Sequence, residues 1–152
     1  MSAAPNKKIV FNSKFTHGID EKRRLQIPAK WRPETEGMEF TLITWPKHRV
    51  GTCLRVLTPE KLEKLVADIE ALPNTDPSKD VLRRLIGGNS EQVTLDKSGR
   101  ICLPEPMAQA AGVKGEALLV GQFEFFEIWD PARYRHVEAE DAVHQAKAFE
   151  MM

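Results

Sequence analysis

Apolar and polar positions alternate along the chain in short runs bounded by Gly, Pro and charged residues, and the runs come in the same order twice. In the first half, KFTHGID leads into a polar loop, DEKRR, and Leu25-Gln26-Ile27 then alternates as a short strand that Pro28 closes. AKWR is at most one helical turn, because Pro33 restricts the residue before it and interrupts the helix. MEFTLIT and CLRVL read as two further strands joined by the polar segment WPKHRVGT. Thr58 is a credible N-cap with Pro59 at the first helical position, and Leu62, Leu65, Val66 and Ile69 form one apolar stripe at helical spacing.

The second half repeats the plan: EQVTLD, a polar loop, ICLP, and a short helix PMAQAAG that Gly112 ends from the left-handed region. EALLVGQ and FFEIW are its two later strands, and Asp130-Pro131 opens a helix as Thr58-Pro59 does. Between the halves, a helix is expected from near Pro77 to Gly87-Gly88, with Leu82, Leu85 and Ile86 on one side. The tail from Val137 keeps weak helical periodicity through Val143, Ala146 and Phe149, with a frayed end. The expected class is α+β: a tandem duplication of β-rich repeats with short helices, one helix between the repeats and one at the C-terminus. Its units are residues 1–76, 77–89 and 90–152.

The duplication is visible in the loops themselves. Sliding the chain by 76 positions lays Asp20 on Asp96, Arg24 on Arg100 and Pro28 on Pro104, with Leu25 and Ile27 over Ile101 and Leu103. The shared pattern is D-x-x-x-R-apolar-x-apolar-P. Each Arg starts a strand, which fixes its direction. Two roles stay open on chemistry alone. Arg24 and Arg100 can bond Asp20 and Asp96 across the loop and pin it, or their guanidinium donors can face a phosphate or a guanine edge.

Length and charge narrow the setting. At 152 residues the chain makes one domain or two small halves, and halves of roughly 70 residues are marginal alone, so they must bury apolar surface against each other or against further subunits. The net charge is zero, yet residues 1–32 carry eight Lys or Arg against Asp20 and Glu21, a net of +6 that the remainder balances. A polarised neutral chain can present a basic face to phosphates, or simply a solvated basic arm. Cys53 and Cys102 form no C-x-x-C pair, so they are expected to be reduced core thiols, neither a disulfide nor a zinc site. No signal-like or membrane-length apolar run occurs, and a cytoplasmic protein is expected.

FNSKFTHGIDEKRRLQIPAKWR, LRRLIGGNSEQVTLDKSGRICLP and EALLVGQFEFFEIWDP together resemble the MraZ family, bacterial regulators built from two AbrB-like repeats. The resemblance spans roughly residues 11–36 and 81–136, and it rests on the doubled D-x-x-x-R motif and the LLVGQ and FEIW segments after the second copy. It implies a homo-oligomeric ring of about eight or more subunits that presents the loops to double-stranded DNA at promoter direct repeats of the division and cell-wall gene cluster. It also implies association with the nucleoid and no cofactor. Residue by residue, it assigns DNA contact to Lys22 and Arg24 and to Lys97 and Arg100, with Asp20 and Asp96 holding the loops. The family usually has Gly before the motif Arg. The second loop keeps Gly99 but the first has Arg23, which is counted with the DNA-binding cations. If the loop needs a positive φ there, Arg23 costs about 1–2 kcal/mol; otherwise the loop has rearranged.

Other chemistry is thin. His17 precedes the first loop as a structural hydrogen-bonder, and His48, His136 and His144 lack metal-ligand spacing. RLIGGNSE matches no phosphate-cradling motif, and its glycines read as a helix stop. Trp31 and Trp129 are expected in the core or at a subunit contact, and Trp45 in a surface loop. Two rivals remain: an antitoxin-like or scaffold module whose loops bind a partner protein, and an enzyme, for which no nucleophile, base and orienter are grouped.

Overall fold

A computed structural model describes residues 8–34, 37–46 and 49–152. The strands are β1 (Lys14–Gly18), β2 (Arg24–Gln26), β3 (Glu39–Trp45), β4 (Cys53–Leu57), β5 (Ser90–Thr94), β6 (Arg100–Cys102), β7 (Glu116–Gly121) and β8 (Phe125–Trp129). The helices are α1 (Pro59–Glu70), α2 (Pro77–Gly87), α3 (Glu105–Ala111) and α4 (Pro131–Phe149), with a 3-10 turn at Ala29–Trp31. The α+β duplication is as expected, and the AKWR turn, the linker helix and the Gly112 stop (φ 70°) fall where the pattern puts them. Thr58 accepts from the Lys61 amide at 3.2 Å and Asp130 from the Arg133 amide at 3.0 Å, so the two Pro-started helices are capped alike. α4 runs unbroken through the tail to Phe149.

The pairing ties the halves together. Six strands form one antiparallel sheet in the order β1-β7-β8-β4-β3-β5, and β2 with β6 makes a separate two-stranded ribbon. Each half's opening strand therefore lies on the other half's hairpin: β1 pairs β7, with Lys14 opposite Val120, and β5 pairs β3, with Ser90 opposite Ile43. The hairpins β3–β4 and β7–β8 meet along β4 and β8, with Leu54 opposite Ile128. A pseudo-twofold axis runs through this seam and through the ribbon, where Leu25 faces Ile101. One core cluster draws on both halves, including Phe11, Leu25, Trp31, Ile101, Leu103 and Phe126. Trp31 and Phe126 are 4.9 Å apart between ring centroids.

Several expectations change. β1, which the pattern marks only as a lead-in, is a full strand. Trp45 ends β3 opposite Cys53, half-buried with the Arg55 guanidinium 3.9 Å from its ring centroid. The expectation that both thiols are core holds for Cys53, where burial pushes the thiol pKa up, but Cys102 is exposed. On the second strand of the ribbon Ile101 and Leu103 point inward, so the residue between them faces out. Ile69 of the α1 stripe is buried while Val66 is 47% exposed, and Leu85 of α2 is 55% exposed.

Candidate nucleic-acid interface

The two D-x-x-x-R loops precede β2 and β6 and close through one set of bonds. In the first, Asp20 Oδ1 accepts from the amides of Lys22 and Arg24, each at 2.9 Å, the Arg23 amide donates to Asp20 O, and the Asp20 amide to Arg24 O. In the second, Asp96 Oδ1 accepts from Ser98 and Arg100 at 2.9 Å, with Gly99 and Asp96 completing the same two backbone bonds. The aspartate takes the place of a partner strand, which is why this residue type opens both loops. The residue before each Arg is left-handed: Arg23 at φ 59° and Gly99 at φ 79°. The first loop has thus kept the geometry despite its side chain.

Each loop is also stitched to the opposite strand. The Leu103 amide donates to Arg23 O at 2.9 Å, and the Ile27 amide to Gly99 O at 2.8 Å, a reciprocal pair about the axis. Arg23 Nε donates to Leu103 O at 3.0 Å, Gln26 Nε2 to Ser98 O at 3.0 Å, and the Cys102 thiol to Lys22 O at 3.3 Å. The two loops are thereby bonded to each other's strands.

The motif arginines do what the pinning role requires, with different tightness. Arg24 Nε donates to Asp20 Oδ2 at 2.6 Å. Arg100 Nε lies 3.3 Å from Asp96 Oδ2, but its angle misses hydrogen-bond geometry, while Arg100 Nη1 stands 3.9 Å from Asp20 Oδ2 across the axis. The Arg24 amide above all, with its side chain and the Lys22 amide, holds the Asp20 carboxyl below its ordinary value; the Arg100 amide, then that of Ser98, does the same for Asp96. Both loops are therefore ionised and closed at neutral pH.

Pinning leaves donors over. Arg24 is held by one edge, and its two terminal nitrogens have no protein acceptor among the described residues. The side chains of Lys22 and Lys97 are exposed and make no ion pair there. Around them the outer face of the ribbon carries Arg24, Gln26, Arg100 and Cys102, while Leu25 and Ile101 anchor its inner face. The result is a narrow, cationic, donor-rich ridge on a rigid base.

The remaining candidates do not join it. His17 lies on β1, stacked near Phe15 at 6.3 Å, its Nε2 buried without a partner; His136 and His144 are exposed on α4, and His48 lies outside the described residues. No metal-holding cluster of His, Cys, Asp or Glu occurs among the described residues, and none of their helices is long and apolar enough to cross a membrane. One residue at the loops escapes motif reading: Arg32, whose side chain lies where a Cβ on Gly99 would be. Sliding the chain by 76 puts Ala108 on it, and that mismatch was its only signal.

Residues 86–152 match the model of a family described as "MraZ protein, putative antitoxin-like". Proteins named "Transcriptional regulator MraZ" are similar over most of the length. The one from Rickettsia akari is 30% identical over 142 residues, 92% of this chain and 95% of that protein. That from Rickettsia rickettsii is 34% identical over 126 residues, 82% and 84% of the two chains, and that from Thermomicrobium roseum 32% over 125 residues with the same coverage.

Proposed function

The chain belongs to the MraZ family, and from that premise we propose that it is a non-enzymatic, cytoplasmic transcriptional regulator whose paired D-x-x-x-R loops contact double-stranded DNA. The observation that carries this reading is the half-spent guanidinium of Arg24: Asp20 orients it through Nε and leaves both terminal nitrogens without a protein acceptor among the described residues, while Arg100 lies between Asp96 and Asp20 across the axis. A fork held in this way loses little freedom on meeting a phosphate or a guanine edge. A two-stranded ribbon also fits the roughly 12 Å width of a B-DNA major groove.

Lys22, Arg23 and Arg24 serve one loop and Lys97 and Arg100 the other, with Asp20, Asp96 and Gly99 shaping them. Several copies, arranged as a ring of about eight or more subunits, meet direct repeats in a promoter of the division and cell-wall cluster. Avidity then replaces strong binding per subunit. Residues 1–76 and 90–152 are the two AbrB-like repeats and 77–89 the connection between them. With about two to three cations per subunit and three subunits engaged, some 6–9 phosphates are neutralised, for a log–log salt slope of roughly −5 to −8.

Footprinting on the region upstream of the protein's own gene, combined with solution mass, tests the whole reading. Protected repeats and a mass of many subunits are expected. A monomer near 17 kDa with no protection, alongside capture of a partner protein through the same loops, would establish the antitoxin-like alternative that the family description carries.

A further inference from the structure

Arg32 ends the 3-10 turn, its amide donating to Ala29 O at 3.2 Å. Its neighbour Trp31 is fully buried and tied through Nε1 to Asn12 O at 3.1 Å, which sets the direction of the segment. The Arg32 side chain crosses the pseudo-twofold axis and lies on the main chain of the second loop: a Cβ built on Gly99 would meet the Arg32 guanidinium first and its Cδ at 2.8 Å. The first loop has the reverse arrangement. There the loop residue is Arg23, which lines a groove with Asp20, Glu105 and Ala108, and Ala108 is the position equivalent to Arg32. Each loop thus has one guanidinium beside its left-handed residue. In the first it comes from the loop itself; in the second it comes from the other repeat.

The two guanidiniums differ in what they bond. Arg23 is anchored through Nε to Leu103 O. Arg32 is half-buried, its Nε is fully shielded, and none of its donors has a protein acceptor or carboxylate among the described residues. A shielded Nε without an acceptor is costly to keep, and a half-buried guanidinium beside two proposed DNA contacts, with no protein partner among the described residues, points to an acceptor that arrives with the ligand. We infer that Arg32 is a phosphate-contacting residue of the second loop, supplied in trans by the first repeat, so that each loop carries three cations: Lys22, Arg23 and Arg24 on one side, Lys97, Arg100 and Arg32 on the other. The acceptor is a phosphodiester oxygen and not a base edge, because the guanidinium lies against the loop's flank.

This inference rests on the DNA-binding reading, and the test separates the two. The full-length parent, Arg32→Gln, Arg32→Lys and Arg24→Ala are titrated against a fluorescent 60-bp duplex from the protein's own upstream region at several salt concentrations, with mass and melting temperature recorded for each. Arg32→Gln should weaken binding about five- to tenfold near 0.15 M salt and flatten the salt slope by about 0.9 for each engaged subunit, while Arg32→Lys keeps the slope. Mass should be unchanged, and the melting temperature unchanged or higher. A parent that binds in an Arg24-dependent way beside an Arg32→Gln variant with the parental slope would overturn the inference alone, leaving Arg32 as packing. A parent that fails to bind the duplex at any salt would overturn the DNA reading itself. If Arg32→Gln also melts lower, the slope measured on folded protein still decides, because lost packing does not change the number of released counterions.

Discussion

The first loop has Arg23 where the second has Gly99, yet both turns close through the same four hydrogen bonds and both residues sit at positive φ, 59° and 79°. The backbone of the loop is therefore imposed from outside the left-handed position, by the Asp that caps it and by the opposite strand that bonds its carbonyl. What the difference changes is side-chain supply. A small residue at 99 leaves room for Arg32 from the other repeat, and a large residue at 23 faces Ala108. Each pairing of large with small works only across the axis.

Removing the motif arginines tests the comparison hardest. Arg24→Ala and Arg100→Ala should each lower DNA affinity on the order of 10- to 100-fold at moderate salt, since every engaged subunit loses a contact. The mass should stay the same. Because Arg24 holds its Asp at 2.6 Å and Arg100 at 3.3 Å, Arg24→Ala should be the one that lowers the melting temperature more. Loss of mass and melting temperature together with affinity, in both variants, would make the repeated motif architecture alone.

Reversing the large-small pairing comes next. Gly99→Arg places a side chain where Arg32 already lies and imposes a left-handed Arg, at a cost of roughly 2–4 kcal/mol. Adding Arg32→Ala should return more than half of that stability, giving a coupling of about 1 kcal/mol or more by thermal melts. Additive effects would show that the two positions are independent.

A smaller effect exposes the ribbon's outer face. Cys102 should react readily with a thiol reagent and Cys53 only on unfolding, and saturating duplex should slow Cys102 several-fold. An undiminished rate would place the DNA elsewhere.

Acid should open both loops. Asp20 and Asp96 have folded values held below the ordinary 3.8, so their contribution is fully present above that pH and is lost as pH falls through the lower folded values. The amide resonances of Lys22, Arg24, Ser98 and Arg100 should titrate together with midpoints below 3.8; midpoints above it would mean that the carboxylates are not holding the turns.

The least change is expected from Arg23→Gly. Relief of left-handed strain, about 1–2 kcal/mol, is offset by the lost bond to Leu103 O and by the greater freedom of Gly in the unfolded chain. A melting shift within about 3 °C is expected; a large fall would show that the Arg23 side chain, and not the Asp cap, holds the first loop.

Much of this was legible because the repeat is local. Each loop, its Asp, its Arg and the following strand lie within nine residues, so one offset revealed all of them, and the helix caps followed from Thr-Pro and Asp-Pro. What escaped depends on pairing across halves. β1 has polar outer positions and only half-buried Phe15 and His17 inside, so its pattern is faint without β7 beside it. The exposure of Cys102 was implicit in the alternation of Ile101 and Leu103, but only a two-stranded ribbon lacks a second layer to cover it. Arg32 stands 67 positions from the glycine it covers, and no periodicity reports such a contact.

The exchange of opening strands also sets an order in time. β1 leaves the ribosome on the order of a hundred residues before β7, and at about 5–20 residues per second it waits roughly 5–20 s for its partner. β3 likewise lacks β5, and β2 lacks β6, until the second repeat is made. The nascent first repeat thus holds one hairpin, β3–β4, with open edges and apolar inner faces, and it joins the β7–β8 hairpin in one sheet only as synthesis ends.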